Sequence, residues 1–173
     1  MAEVAGMTRL FVAVWPPGDV LDALGDVERP NDPGVKWVPQ ENLHLTLRFL
    51  GDADADDVIE RLEGIELPST TVTLGPAFDL FTERSLLVPA AGLDELAAVV
   101  RRALRGLGTE PERRRFLGHL TVARLARGAR PARSAGRRFD ATFDVTDVAL
   151  VESTLHQSGA RYETITTWPT RSL

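Results

Sequence analysis

Two seven-residue segments of the chain share one pattern of apolar and polar positions. HLTLRFL occupies 44–50 and HLTVARL occupies 119–125, 75 residues further along. The first positions of each segment alternate between polar and apolar residues, which is typical of a β-strand with one buried face. We therefore predict strands over 43–50 and 117–125. Each histidine and the threonine two places later then lie on the same face of their strand.

The remaining periodicities predict a chain that alternates strands with helices. Continuous apolar runs and period-two patterns predict strands over 9–15, 35–38, 70–74, 86–88, 145–153 and 162–167. Apolar stripes at helical spacing predict helices over 18–28, 53–63 and 93–107, the second of them capped by Asp52. Each half of the chain contributes one motif strand. We therefore predict an α+β fold with two lobes, in which a pseudo-twofold pair of antiparallel sheets carries outer helices and a cleft lies between the lobes. The whole chain, 1–173, is then one domain of two interleaved lobes, each carrying one His-x-Thr motif.

The composition limits where the chemistry can come from. The chain has 173 residues, of which 43% are hydrophobic, and this is enough to form a core. It has no cysteine, so disulfides, thiolate nucleophiles and Cys-ligated metal clusters are excluded. No apolar run approaches the roughly 20 residues that cross a bilayer, and the first residues lack an export signal. We expect a cytoplasmic protein that does not associate with membranes.

The charge of the chain is distributed unevenly. The formal net charge is −5, yet the region from Arg101 to Arg138 holds 12 arginines and only two acidic residues, Glu110 and Glu112. The second motif lies inside this region. Two interpretations stand side by side: solvated surface arginines, or an electropositive approach for a substrate that carries phosphate.

Paired histidines on neighbouring strands provide acid–base chemistry near neutral pH. One imidazole can take a proton while the other gives one, and the threonine hydroxyls can hydrogen-bond the nonbridging oxygens of a phosphodiester. Such chemistry needs neither a metal nor a cofactor, and we expect none. Two alternatives remain open at this point. The histidines could bind zinc, although neither motif carries a carboxylate at ligand spacing, or the protein could bind RNA ends without turnover.

The two motifs also contain candidate phosphate ligands and base-stacking residues. Arg48 shares the parity of His44 along its strand, and this predicts a phosphate ligand or a surface residue. Arg124 has the opposite parity to His119, so a role for it at the substrate needs a twist or a bulge in the strand. Trp37 and Phe49 are candidates for stacking on a base or for burial in the core.

These motifs and their flanking segments resemble the 2H phosphoesterase superfamily, specifically the RNA 2′,3′-cyclic phosphodiesterases that are also called 2′-5′ RNA ligases. The likeness spans nearly the whole chain. It includes the opening RLFVAVWPP, the approach KWVPQENLHLTLRFLG and the ending VALVESTLHQSGARYETI. The chain departs from the family pattern at Gly118 and His156, where the family has proline, usually at the first position and frequently at the second.

The resemblance implies a function and roles for the motif residues. It implies hydrolysis of a terminal 2′,3′-cyclic phosphate of RNA to a 2′-phosphate, and the joining of such an end to a 5′-hydroxyl through a 2′-5′ linkage. His44 is then the proton donor and His119 the acceptor, while Thr46 and Thr121 contact the phosphate. Arg124 matches an arginine that is common in the family.

The expected partner is RNA or a nucleotide with a 2′,3′-cyclic phosphate end, and we expect a monomer. A relative that acts on small cyclic phosphates such as ADP-ribose 1″,2″-cyclic phosphate is the alternative within enzymes. A symmetric cleft lets either histidine take either role, so the sequence leaves the donor and acceptor open.

Overall fold

The fold contains ten strands and three α-helices in the part of the chain that the structure describes. The computed structural model describes residues 6–111 and 113–172. The strands are β1 Thr8–Val14, β2 Val35–Trp37, β3 Leu45–Ala53, β4 Thr71–Leu74, β5 Asp79–Thr82, β6 Ser85–Ala91, β7 His119–Leu125, β8 Ala141–Asp144, β9 Asp147–His156 and β10 Gly159–Pro169. The helices are α1 Gly18–Asp26, α2 Ala55–Leu62 and α3 Asp94–Ala103. The sequence patterns did not predict β5 and β8, which have four residues each.

The strands form one continuous antiparallel sheet that consists of two halves. The strand order is β10-β9-β1-β3-β7-β6-β4-β8, with β2 paired to β7 and β5 paired to β6. Strands β3 and β7 join the two halves, and a single residue pair, Leu45 with Leu120, is in register there. Both leucines are fully buried. The predicted α+β architecture is therefore confirmed, and the pairing of the two motif strands is centred on this leucine pair. The first half takes strands from both ends of the chain.

The helices cover one face of the sheet and complete the core. Alternate residues of β1, such as Leu10 and Val12, are fully buried and belong to a core cluster that also contains Leu96 and Val100 of α3. The N-cap of α2 is Asp54, whose carboxylate accepts from the backbone amides of Asp56 and Asp57. The prediction of Asp52 as this cap was wrong because β3 continues through Ala53 and the helix begins two residues later than expected.

Each motif strand carries a β-bulge directly after its threonine. In β3, Leu47 has no partner residue in β1. In β7, Val122 has no partner residue in β6. A bulge inserts one extra residue, so the faces of the strand exchange beyond it. Arg48 is therefore buried while Phe49 is exposed, and in the second copy Ala123 is buried while Arg124 is exposed. The repeat thus extends to the same irregularity at the same position of both strands.

The loop over 126–136 is held against the body of the molecule. Asp32, which is almost fully buried, accepts hydrogen bonds from the backbone amides of Arg133 and Ser134 and from the Ser134 hydroxyl. The guanidinium of Arg133 also lies 3.2 Å from the same carboxylate. These contacts fix a segment that has no regular secondary structure of its own.

Candidate active site

The two motifs meet where β3 and β7 join. Extending the antiparallel register by one residue on either side of the Leu45–Leu120 pair places His44 opposite Thr121 and Thr46 opposite His119. All four side chains line one cavity of about 270 Å³. The structure therefore brings together the two predicted histidines and the two predicted threonines. Their arrangement follows the pseudo-twofold symmetry of the sheet.

Both imidazole rings are oriented by the same local hydrogen bond. Nδ1 of His44 lies 2.7 Å from the carbonyl oxygen of Asn42, and Nδ1 of His119 lies 2.8 Å from the carbonyl oxygen of Leu117. A carbonyl oxygen can only accept, so Nδ1 carries a proton in both rings. Nε2 is then the nitrogen that gains or loses a proton. In His44 this atom lies 3.1 Å from Oγ1 of Thr46.

His44 is set among aromatic rings of the first lobe. The centroid of its ring lies 4.7 Å from that of Phe11, 5.2 Å from that of Tyr162 and 5.7 Å from that of Trp15. Burial lowers the pKa of His44, and the charges of Arg124 and His119 lower it further, while the hydrogen bond to Asn42 opposes them. The neutral imidazole is therefore favoured in the free protein.

His119 has a different neighbour from the second lobe. The ring of Phe81, on strand β5, stacks on it with a centroid distance of 5.8 Å and an interplanar angle of 15°. Phe81 is 49% exposed. The sequence patterns missed this residue because β5 is short and all its residues are exposed, so it shows no alternation. The sequence signal that could have indicated it is the apolar pair Leu80 and Phe81 inside the otherwise polar segment 79–85.

The bulges decide which arginine reaches the cleft. Arg124 lines the cavity with both histidines, and its Nη1 lies 3.4 Å from Oγ of Ser85. The expectation for Arg48 is corrected, because this residue is 1% exposed and donates from Nη2 to the carbonyl oxygen of Leu107 at 2.9 Å. Its guanidinium thus lies on the face of the sheet opposite His44. Phe49 takes the equivalent position to Arg124 in the first copy, and it is 45% exposed rather than part of the core.

A second cavity adjoins the first on the side of His44. It has a volume of about 180 Å³, and its walls include Trp37, Tyr162 and the backbone of the turn between β9 and β10. Trp37 is partly buried and lies beside the cleft rather than within it. Arg124 and His44 line both cavities. An aromatic surface therefore lies directly next to the paired histidines.

Within residues 6–111 and 113–172, no group of three or more His, Asp or Glu side chains is arranged to hold a metal ion. Over the same residues, none of the helices has the length and apolar character needed to cross a membrane.

The fold has two antiparallel sheet halves, and each presents a His-x-Thr segment to a shared cleft. This arrangement is typical of phosphoesterases of the two-histidine type. Comparison with known proteins agrees with this class. The family model described as the 2′-5′ RNA ligase superfamily matches residues 16–157. The chain therefore belongs to the 2′-5′ RNA ligase superfamily.

Individual relatives share the sequence and the fold. The RNA 2′,3′-cyclic phosphodiesterase of Escherichia coli is 29% identical over 169 residues, which cover 92% of this chain and 95% of that protein. The RNA 2′,3′-cyclic phosphodiesterase of Geobacillus stearothermophilus is 29% identical over 77% of this chain, and the match spans about half of that longer protein, 47%. The crystal structure of E. coli LigT in its apo form superimposes with a TM-score of 0.78 at 26% identity, covering 96% and 99% of the two chains. The predicted family is confirmed.

Proposed function

We propose that the protein hydrolyses the terminal 2′,3′-cyclic phosphate of RNA to a 2′-phosphate by paired-histidine acid–base catalysis, and that the same site supports reversible 2′-5′ RNA ligation. The observation that carries this proposal is the single cavity lined by His44, His119 and their two threonines, with Arg124 at its wall. The family and the activity of the relatives support the same reaction. RNA or a nucleotide with a cyclic end is the substrate, and the protein acts as a cytoplasmic monomer.

The reaction needs one proton removed and one proton supplied. Water attacks phosphorus while Nε2 of His119 takes a proton from it, and the P–O3′ bond breaks. Nε2–H of His44 gives its proton to the departing O3′, so the product carries a 2′-phosphate and a 3′-hydroxyl. Thr46, Thr121 and Arg124 hydrogen-bond or neutralise the nonbridging oxygens. His44 directly precedes β3, His119 begins β7, and both rings are tied through Nδ1, so their separation is held during the reaction.

The environment of His44 suits the donor role. Burial lowers its pKa, which makes its imidazolium a stronger acid toward O3′. The negative charge of a bound phosphate raises the pKa of His44 and therefore favours the protonated ring that a proton donor needs. His119 then faces the side from which water enters.

The first test measures hydrolysis of a 2′,3′-cyclic nucleotide and of RNA with a cyclic end, in the presence of EDTA. We expect His44→Ala and His119→Ala each to lower kcat by about 10²-fold to 10⁴-fold. The double variant should lose little more, since the two groups act in one step. His156→Ala is the matched control. This histidine contacts Thr154 at the end of β9 that turns into β10, and it does not line the cavity.

Each contrary result selects another function. Loss of turnover in EDTA would favour a metal site, and retained RNA binding without any turnover by the parent would favour a binding module. Faster turnover of ADP-ribose 1″,2″-cyclic phosphate than of cyclic-ended RNA would favour the small-molecule reaction.

The second test separates the donor from the acceptor. A substrate with sulfur in place of O3′ has a leaving group that departs without a proton. If His44 is the donor, this substrate restores turnover to His44→Ala and not to His119→Ala. Restoration of His119→Ala alone would reverse the two roles.

A further inference from the structure

A further cavity opens from the cleft along strand β1. We call it the β1 cavity and define it by Arg9, Phe11, Phe49, Ser153 and Leu155. Its volume is about 460 Å³. His44, Thr46 and Arg124 line this cavity as well as the one between the two histidines, so the two spaces are continuous. The proposed chemistry at phosphorus uses only the inner end of the β1 cavity.

Arg9 places a positive charge on the wall of the β1 cavity. It lies two residues before Phe11, so its side chain is on the face of β1 from which Phe11 contacts His44. The guanidinium carbon of Arg9 lies 4.9 Å from the ring centroid of Phe49. Asp52 is the register partner of Arg9 on β3, yet none of the ion pairs formed within residues 6–111 and 113–172 includes Arg9. Its exposed charge is therefore available to an anionic ligand.

A hydroxyl group lies next to this guanidinium. Strand β9 pairs with β1 through Glu152 and Leu10, and extending the antiparallel register by one residue places Ser153 opposite Arg9. Both residues line the β1 cavity. Arginine and serine are among the side chains that bind the phosphates of nucleic acids, and an aromatic ring such as Phe49 gives a neighbouring sugar or base a surface to pack on. This wall therefore has the composition of a phosphate subsite.

The proposed mechanism indicates which part of the substrate reaches this wall. In an in-line displacement the nucleophile enters opposite the departing O3′, so the ribose that carries the cyclic phosphate lies on the side of the donor, His44. This ribose also carries a base at C1′ and the 5′-carbon at C4′. The smaller cavity with Trp37 and Tyr162 borders His44 and offers a base an aromatic surface. The β1 cavity also borders His44, and it offers the 5′ side a cation.

We propose, resting on the function proposed above, that Arg9 and Ser153 bind the phosphate on O5′ of the nucleotide that carries the cyclic phosphate. In RNA this phosphate is the diester that joins the terminal nucleotide to the rest of its strand, and in a free nucleotide it is a monoester. Both forms carry negative charge on nonbridging oxygens, so both suit the same donors. The subsite makes the protein favour a nucleotide with a 5′-phosphate over one with a 5′-hydroxyl, and it takes no part in bond breaking.

The experiment compares substrates that differ only beyond O5′. They are a nucleoside 2′,3′-cyclic phosphate with a 5′-hydroxyl, the same nucleotide with a 5′-phosphate, and a dinucleotide that ends in the same cyclic phosphate. We expect kcat/KM of the parent to be about tenfold higher for each substrate with a phosphate on O5′, because that phosphate gains a charge-assisted hydrogen bond. Added salt should reduce this ratio, since the contact is exposed to solvent.

Single variants assign the gain to the proposed residues. Arg9→Met keeps the apolar stem beside Phe49 and removes the charge, so it should bring the ratio of the two kcat/KM values to about one. Arg9→Lys should keep part of the gain, because it keeps the charge without the planar fork of a guanidinium. Ser153→Ala should lower the ratio about threefold, since it removes a neutral donor.

Two other cations of the first lobe complete the comparison. Arg161→Met is the matched control, because Arg161 is an exposed arginine of β10 that does not line the β1 cavity, and it should keep the ratio of the parent. Lys36 lines the smaller cavity, so Lys36→Met tests whether the 5′-phosphate lies there instead. Calorimetry measures the same preference without turnover. A nucleoside 2′,5′-bisphosphate should bind the parent about tenfold more tightly than the 2′-phosphate, and Arg9→Met should remove this difference.

The outcomes separate the subsite from the proposed hydrolysis. If the parent hydrolyses none of the substrates, the proposed function is wrong, yet calorimetry still tests the subsite. Equal kcat/KM values for all three substrates in an active parent would overturn the subsite alone. So would loss of the gain in Lys36→Met but not in Arg9→Met, or an equal loss in Arg161→Met, which would indicate a diffuse positive field. A gain with both phosphate-bearing substrates upholds the subsite for an RNA strand, and a gain with the monoester alone upholds it for free nucleotides.

Discussion

Substitution of Gly118 by alanine would test whether the packing of one strand junction positions His119. Gly118 directly precedes His119, and its carbonyl oxygen accepts a hydrogen bond of 2.9 Å from the amide of Ala90. A Cβ built on Gly118 lies 2.4 Å from the carbonyl oxygen of Ala90. Ordinary contact begins at 3.4 Å, so β6 and β7 must separate by about 1 Å to admit one methyl group.

The structural cost follows from this displacement. Forcing a methyl group into a packed site costs about 1–3 kcal/mol, because neighbouring backbone must shift. For a domain of this size the melting temperature should fall by roughly 2–12 °C. The larger effect should be on catalysis. Leu117 and His119 flank Gly118, and the bond from Nδ1 of His119 to the Leu117 carbonyl spans it, so the ring moves with the strand. A misplacement of about 1 Å costs on the order of 10²-fold in rate.

The assay combines thermal unfolding with steady-state hydrolysis of a 2′,3′-cyclic nucleotide. We expect Gly118→Ala to remain folded at 25 °C and to lower kcat strongly while KM changes little. Gly18→Ala is the control, because Gly18 begins α1 and a Cβ there meets no atom within 4 Å. It should leave kcat unchanged and alter stability by less than about 1 kcal/mol.

A parent-like melting temperature together with a parent-like kcat for Gly118→Ala would refute the reasoning. So would a large loss of stability without any change in kcat, since the position of His119 would then be independent of the junction. Gly118→Pro should behave like the alanine variant, because proline also carries a Cβ. The family usually has proline at this position. In this chain the position is glycine, because the carbonyl oxygen of Ala90 leaves no room for a Cβ.

Three further predictions follow from individual side chains. Burial and the charge of Arg124 lower the pKa of His44, so its NMR titration midpoint should lie below the ordinary value of 6.5. Addition of inorganic phosphate should raise this midpoint. A midpoint above 6.5 in the free protein would contradict the described environment. Arg124→Met removes a positive charge from the cavity, so it should raise the KM for a cyclic nucleotide about tenfold or more. The same change should raise the pKa of His44, which the charge of Arg124 lowers. An unchanged KM would show that Arg124 does not bind the phosphate. The hydrogen bonds from Ser134 and Arg133 lower the pKa of Asp32, so its contribution to stability is present above pH 3.8 and is lost as the pH falls through the lower value of the folded state. Acid unfolding of Asp32→Asn should therefore depend less on pH in that range, and an unchanged acid transition would contradict this.

The sequence predicted the parts of the site that depend on local pattern. The repeated His-x-Thr segments identified both strands, both histidines and both threonines, because side-chain parity along a strand needs only the next two residues. The same repeat contains a further signal. Phe49 and Arg124 occupy equivalent positions, as do Arg48 and Ala123, and a buried alanine in one copy indicates a buried position in the other.

Long-range pairing explains where local parity failed. A bulge arises from how a strand pairs with its neighbour, so no pattern within 44–50 shows that the register with β1 passes over Leu47. Arg48 was consequently placed on the wrong face. Arg124 was expected to need a twist or a bulge to reach the cleft, and the pairing of β6 with β7 has such a bulge at Val122.

The sequence by itself thus determined the paired His-x-Thr motifs and the family, since residue type and spacing are properties of the chain alone. Only the tertiary structure decided that Leu45 and Leu120 pair at the lobe junction, that Phe81 stacks on His119, and that Arg124 rather than Arg48 faces the cleft. The physical reason is that these features depend on contacts between residues far apart in the chain. Local alternation carries no information about which strands become neighbours or in which register they pair.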